Sequence, residues 1–61
     1  MNMENPKELV IALQQKGFTI TEISAILAAP KDTVLGWRYG NKSTTLARFN
    51  EMKLKAKPYL G

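Results

Sequence analysis

Apolar residues recur along this chain at spacings of three and four, in four short groups divided by glycine, proline and polar breaks. That is the period of helices carrying one buried stripe, and no stretch makes a convincing case for the alternation of a strand. The first group is Leu9, Val10, Ala12 and Leu13. Ahead of it stands Asn5-Pro6-Lys7-Glu8. Asn5 suits a helix cap, Pro6 the first helical position, where no donor is needed, and Glu8 the third, from which it can reach back. A helix is predicted over about residues 6–16, stopped by Gly17, which accepts the left-handed cap conformation. Ile11 falls off the stripe and is a candidate surface or partner contact.

The second start is Thr19-Ile20-Thr21-Glu22, a capping box, with Phe18 and Ile23 spaced as a hydrophobic staple. The predicted helix, about 20–27, buries Ile23, Ile26 and Leu27 and ends because Pro30 disfavours the α conformation at Ala29. Pro30 then opens a third helix, about 31–39, at its first position; Asp32 suits the positive end of its dipole, Val34 and Trp37 form its buried face, and Gly40 closes it. In the polar turn Asn41-Lys42-Ser43-Thr44, Ser43 or Thr44 is the expected cap of a fourth helix, about 44–56, burying Leu46, Phe49 and Met52. Beyond it basic and apolar residues alternate from Lys53 to Lys57, Pro58 is expected to break the chain, and Tyr59-Leu60 to form an apolar tip.

Neither two-turn helix is stable alone, because isolated helices below about 12 residues are marginal in water. They persist if the short turn sets them at a steep angle and both bury their stripes against the first and fourth helices. That leaves the third helix projecting, its amino end exposed. A helix with side chains is about 10–12 Å across and the major groove of B-DNA about 12 Å wide.

Composition narrows the function classes. Sixty-one residues allow one domain, spanning 1–61. There is no Cys and no His, so thiolate sites, the commonest metal ligand and the commonest neutral-pH base are all missing. Five scattered carboxylates offer no nucleophile, base and oxyanion donor together. An enzyme, a metal site and a cofactor are therefore not expected. No apolar run approaches a membrane span, and the start MNMENPKE lacks the apolar core of a signal peptide, so a soluble, cytoplasmic domain is expected.

Charge is divided unevenly. Residues 1–30 carry Lys7 and Lys16 against Glu4, Glu8 and Glu22, a net of −1. Residues 31–61 carry Lys31, Arg38, Lys42, Arg48, Lys53, Lys55 and Lys57 against Asp32 and Glu51, a net of +5, which completes the +4 of the chain. A basic half on a near-neutral half points to a polyanion partner or to a solvated lysine-rich surface.

From Phe18 to Lys42 the features come in an order that resembles the helix-turn-helix proteins, specifically the small phage repressor and Cro-like type. Ile23 takes the first apolar position of that pattern, Ser24 its small position and Leu27 the apolar position before the turn; Val34, Trp37 and Gly40-Asn41-Lys42 supply the rest. The resemblance implies an all-α, compact four-helix domain, lambda-repressor-like, with its helix-turn-helix motif at 18–42. Two positions depart from the pattern. Ala28 stands where the family has Gly, at a cost of roughly 1–2 kcal/mol if it is left-handed, and Ala29-Pro30 replaces an apolar-then-polar pair.

The resemblance also implies which residues meet DNA. Base edges would be read by Ile20, Lys31, Asp32, Leu35 and Gly36. Lys31 can donate to guanine O6 and N7, Asp32 can accept from cytosine N4, and Leu35 can meet a thymine methyl; Gly36 permits close approach and supplies no code. For Asp32 a plain helix-dipole role stays open, for Lys31 a solvated one, and for Ile20 a half-buried place in the core. Trp37 shares a face with Val34 and reads as core. Phosphates would be met by Arg38, Tyr39, Asn41, Lys42, Ser43, Thr44 and Arg48, several of them at the amino end of the fourth helix, where free N–H groups favour an anion. A partly buried ring is the other reading of Tyr39.

The implied partner is double-stranded DNA, a pseudo-palindromic operator bound by a weak homodimer, with no membrane involved. Ile11, the outer face of the fourth helix and the Tyr59-Leu60 tip are the candidate dimer surfaces. The implied function is a sequence-specific transcriptional regulator that blocks promoter access. Two other classes stay open: an excisionase, terminase small-subunit or transposase-type DNA-binding module, and a helical protein–protein module such as an antitoxin or an inhibitor of a host factor.

Overall fold

The computed structural model describes residues 5–61. They form α1 (Pro6–Gln15), α2 (Ile20–Leu27), α3 (Lys31–Arg38) and α4 (Leu46–Leu60), with no strand among the described residues. The domain is all-α, with four helices. Met1–Glu4 lie outside the described residues, and with them the Glu4 charge and the start of the segment weighed as a signal peptide. No helix among the described residues is long and apolar enough to cross a membrane.

Three starts are made by side chains. The Asn5 carboxamide oxygen accepts from the Glu8 N–H at 3.0 Å, with Pro6 at the first position of α1. At α2 the capping box closes in both directions: Thr19 Oγ1 accepts from the Glu22 N–H at 3.2 Å, and Glu22 Oε1 accepts from the Thr19 N–H at 2.9 Å. At α4 the cap is Thr45, whose Oγ1 accepts from the Arg48 N–H at 3.2 Å. The expected caps Ser43 and Thr44 are corrected by two residues and one. Three hydroxyl residues in a row offered the same chemistry, and only the path of the loop selects among them. Pro30 stands just outside α3, extended at φ −60° and ψ 149°, rather than at its first position. Its carbonyl still accepts from the Val34 N–H at 3.0 Å.

The first three helices end alike. The Gly17 and Phe18 N–H groups donate to the Gln14 and Leu13 carbonyls, those of Ala28 and Ala29 to Ala25 and Ser24, and those of Gly40 and Asn41 to Trp37 and Gly36. Each pair is the double bond of a Schellman motif, which needs a left-handed residue just past the helix. Gly17, Ala28 and Gly40 hold it, at φ 99°, 54° and 78°.

The core gathers Leu9, Val10 and Leu13 from α1, Ile23 and Leu27 from α2, Val34 and Trp37 from α3, and Phe49, Met52 and Ala56 from α4, with Ala29 from the turn. Ile20, Ile26, Phe18 and Leu60 pack on its rim. α1 touches the other three helices, and α3 lies against α1 and α2. Two expectations for α4 fail. Leu46 is 74% exposed, although Phe49, one turn on, is buried. Pro58 does not break the chain; α4 runs through it to Leu60 instead of stopping near residue 56. A proline so close to a helix end deprives only the Leu54 carbonyl of a partner, and the last turn is held by packing. Leu60 rests on the core and the Tyr59 ring meets Phe18 edge-on, centroids 5.4 Å apart. The expected apolar tip is thus engaged within the chain.

Candidate nucleic-acid interface

α3 is only eight residues long, so packing must hold it. Val34 and Trp37, 0% and 2% exposed, pin one face to the core, and the opposite edge of the first turn is left to solvent. Lys31 and Asp32 are exposed there, and Thr33 and Leu35 are half-buried. Ile20, at the start of α2, is half-buried against the core, so only part of its side chain is open to a partner.

Gly36 has a different place. It is buried beneath Lys42: a β-carbon built on it would lie 2.6 Å from Lys42 Cγ and 2.7 Å from Cδ. Its carbonyl accepts from both the Asn41 and Lys42 N–H groups, at 2.7 and 3.1 Å. The missing side chain thus lets the loop after α3 fold back onto the helix and brings Lys42 across it, whereas the sequence pointed to close approach by a base. Nothing local to Gly36 signalled this, because the contact depends on where residues 41 and 42 return.

The residues read as phosphate contacts run almost without a gap from the end of α3 into the loop. Arg38 is half-buried and tied down: its Nε donates to Gln14 Oε1 on α1 at 2.8 Å, and its guanidinium carbon lies 5.5 Å from the Tyr39 ring centroid. That anchor holds the Arg38 charge at the end of α3. Gln14, twenty-four residues away, was not anticipated as its support. Tyr39 is 66% exposed, so the partly buried alternative does not hold. Asn41, Lys42 and Ser43 are exposed, and Thr44 is half-buried with its Oγ1 enclosed and without a hydrogen-bond partner among the described residues. Arg48, on the first turn of α4, is exposed and sits with its guanidinium carbon 6.0 Å from the Trp37 ring centroid.

Lys31 and Arg38 are seven residues apart on one short helix, so the two sets of residues stand about 10 Å apart along its axis. One end of α3 offers a donor and an acceptor side by side in Lys31 and Asp32. The other offers cations and hydroxyls arranged around a doubled-back loop. Such an arrangement can read the edges of a polymer at one end and hold its anionic backbone at the other.

Comparison of this chain with family models, with curated proteins and with solved structures finds no match.

Proposed function

We propose that this domain binds double-stranded DNA by presenting α3 to the major groove, as a regulator similar to the small phage repressor and Cro-like proteins. Occupying an operator would block access of polymerase to a promoter. One observation carries the reading: α3 is divided, with Val34 and Trp37 sealed in the core and Lys31 and Asp32 bare in its first turn. Lys31 then donates to guanine O6 and N7, Asp32 accepts from cytosine N4, and the open part of Leu35 or Ile20 meets a thymine methyl. Arg38, Tyr39, Asn41, Lys42, Ser43 and Arg48 face the backbone, where they fix register without reading sequence; Thr44, its Oγ1 enclosed, drops out of that set. Gly36 contributes by letting Lys42 lie across α3.

Two copies on a pseudo-palindrome, half-sites about one helical turn apart, would supply the specificity that one small reading helix lacks. Of the candidate dimer surfaces, the outer face of α4 is the most open, with Leu46 and Leu54 at 74% and 70% exposure. Selection of bound duplexes from a random library tests the reading. A recurrent, palindromic site is the expected result, and Lys31→Ala should relax one base position within it. Recovery of no preferred site, together with retention on duplex DNA that ignores salt, would overturn it.

A further inference from the structure

α4 buries one side and leaves an apolar one bare. Phe49, Met52 and Ala56 turn into the core, while Leu46 and Leu54 stand 74% and 70% exposed. Leu46, Asn50 and Leu54 are spaced four apart and form one ridge of the helix surface; Lys53, Lys57 and Gly61 continue the next. Between the two ridges lies a groove of about 510 Å³, lined by Asn50, Lys53, Leu54, Lys57, Leu60 and Gly61. A ridge beside an open groove is one half of the commonest helix packing, in which each ridge fills the other helix's groove at a crossing of about 50°. Among the described residues the groove is walled by α4 and Gly61 alone, so the other half comes from outside the fold.

The face is complementary to itself. Leu46 stands four residues before Asn50 and Leu54 four after. A twofold axis at Asn50 therefore brings the Leu46 of each copy to the level of Leu54 in the other, at the groove beside it. A closed dimer needs a patch that serves as both knob and hole. Asn50 then meets its own copy on the axis, and a carboxamide can both donate and accept there. Charge selects the antiparallel sense. α4 carries Arg48, Lys53, Lys55 and Lys57 against Glu51 alone, and a parallel pair would set each cation beside its own copy. In the antiparallel pair Lys53 falls at the level of Ala47 and Lys57 near that of Ser43.

We infer that two copies of this chain pair through α4, antiparallel and crossing at Asn50, with the Leu46 of each seated in the other's groove between Leu54 and Lys57. The pairing deepens the DNA-binding reading by naming the surface that joins the two half-site copies, and rests on that reading only for its use. No residue of α3 lines the groove, so pairing leaves Lys31 and Asp32 open. The ridge from Leu46 to Leu54 spans only about 12 Å, which puts the contact at the low end of interface sizes, under about 1,200 Å², where association is transient. Self-association between about 10 μM and 1 mM is expected, and the lysines around the seam should make it tighten as salt screens them. DNA binding has the opposite salt dependence.

Sedimentation equilibrium of the intact protein over that range, at low and high salt, tests the pairing. Leu46→Gln and Leu54→Gln keep the charge and the helix propensity at exposed positions. Each should weaken the dimer about tenfold or more and leave the circular dichroism of the monomer unchanged. The chain has no Cys, so one introduced thiol reports the register. Asn50→Cys, on the axis, should form a disulfide-linked dimer under mild oxidation, and Lys55→Cys, off the seam, should not. A monomer throughout, a dimer indifferent to both leucine variants, or one that salt weakens would overturn the pairing. So would a monomer that binds a synthetic acidic amphipathic helix at the groove, which gives the face to a foreign partner. A short duplex titrated in parallel separates the two readings. An Asn50-linked dimer that ignores duplex DNA upholds the interface and defeats the DNA reading. Duplex binding by a chain that stays monomeric, unmoved by Leu46→Gln, defeats the interface and leaves α3 as the DNA-binding element.

Discussion

The ends of α2 and of its neighbours α1 and α3 have the same hydrogen bonds and different residues. Gly17 and Gly40 turn the chain at φ 99° and 78°, while Ala28 does so at φ 54° and ψ 46°. A β-carbon added at Gly17 or Gly40 would meet nothing within 4 Å, so neither glycine is there to make room. They are there for their backbone, which crosses to positive φ freely, whereas an L-residue pays roughly 1–2 kcal/mol. The residues around the turn differ too. α1 ends with the apolar pair that commonly completes the motif, Leu13 in the core and Phe18 packed on it. α2 has Ser24 and Ala29 in the equivalent places, and only Ala29 is buried. The turn that orients the candidate reading helix is thus the one that carries strain, and it is held from both sides by Ile23, Leu27, Val34 and Trp37. Tertiary packing overrides an unfavourable local choice there, while at Gly17 and Gly40 local and global preferences agree.

This contrast can be broken at several points. The largest effect should come from Leu13→Ala, which removes the apolar anchor of the α1 end: about 2–5 kcal/mol. A chain of this size has only about 3–9 kcal/mol in all, so loss of helical circular dichroism at room temperature is an expected outcome. Gly40→Ala imposes on α3 the condition α2 already tolerates and should lower stability by about 1–2 kcal/mol in urea unfolding. Thr19→Ala opens the capping box and should cost about 1 kcal/mol by the same measurement. The smallest change has the opposite sign. Ala28→Gly relieves the left-handed strain but adds chain entropy to the unfolded state, for a net gain of about 0.5–1 kcal/mol. A loss on Ala28→Gly would show that the alanine methyl has a role that the backbone comparison misses.

Much of the fold was legible because short-range chemistry specifies it. Asn5, the Thr19–Glu22 box, Gly17 and Gly40 act within a few residues of themselves, and each sits where its spacing placed it. Leu9, Leu13, Ile23, Val34, Trp37, Phe49 and Met52 were readable as core from periodicity alone. Leu46 was not, since a stripe shows which residues share a helix face but not how far the body extends beneath it. Pro58 misled for a related reason: its local preference is to end a helix, and the docking of Tyr59 on Phe18 and of Leu60 on the core keeps the last turn.

The candidate site divides the same way. Exposure of Lys31 and Asp32 follows from the stripe opposite them, because burying Val34 and Trp37 turns the first turn's other edge outward. The anchoring of Arg38 by Gln14 joins residues twenty-four apart, and the role of Gly36 beneath Lys42 depends on how the loop after α3 returns. The linear order of residues determines caps, periods and net charge, whose causes act within a turn or two of helix. Which distant side chains converge depends on the angles at which four short helices cross, and only the packed core sets those angles.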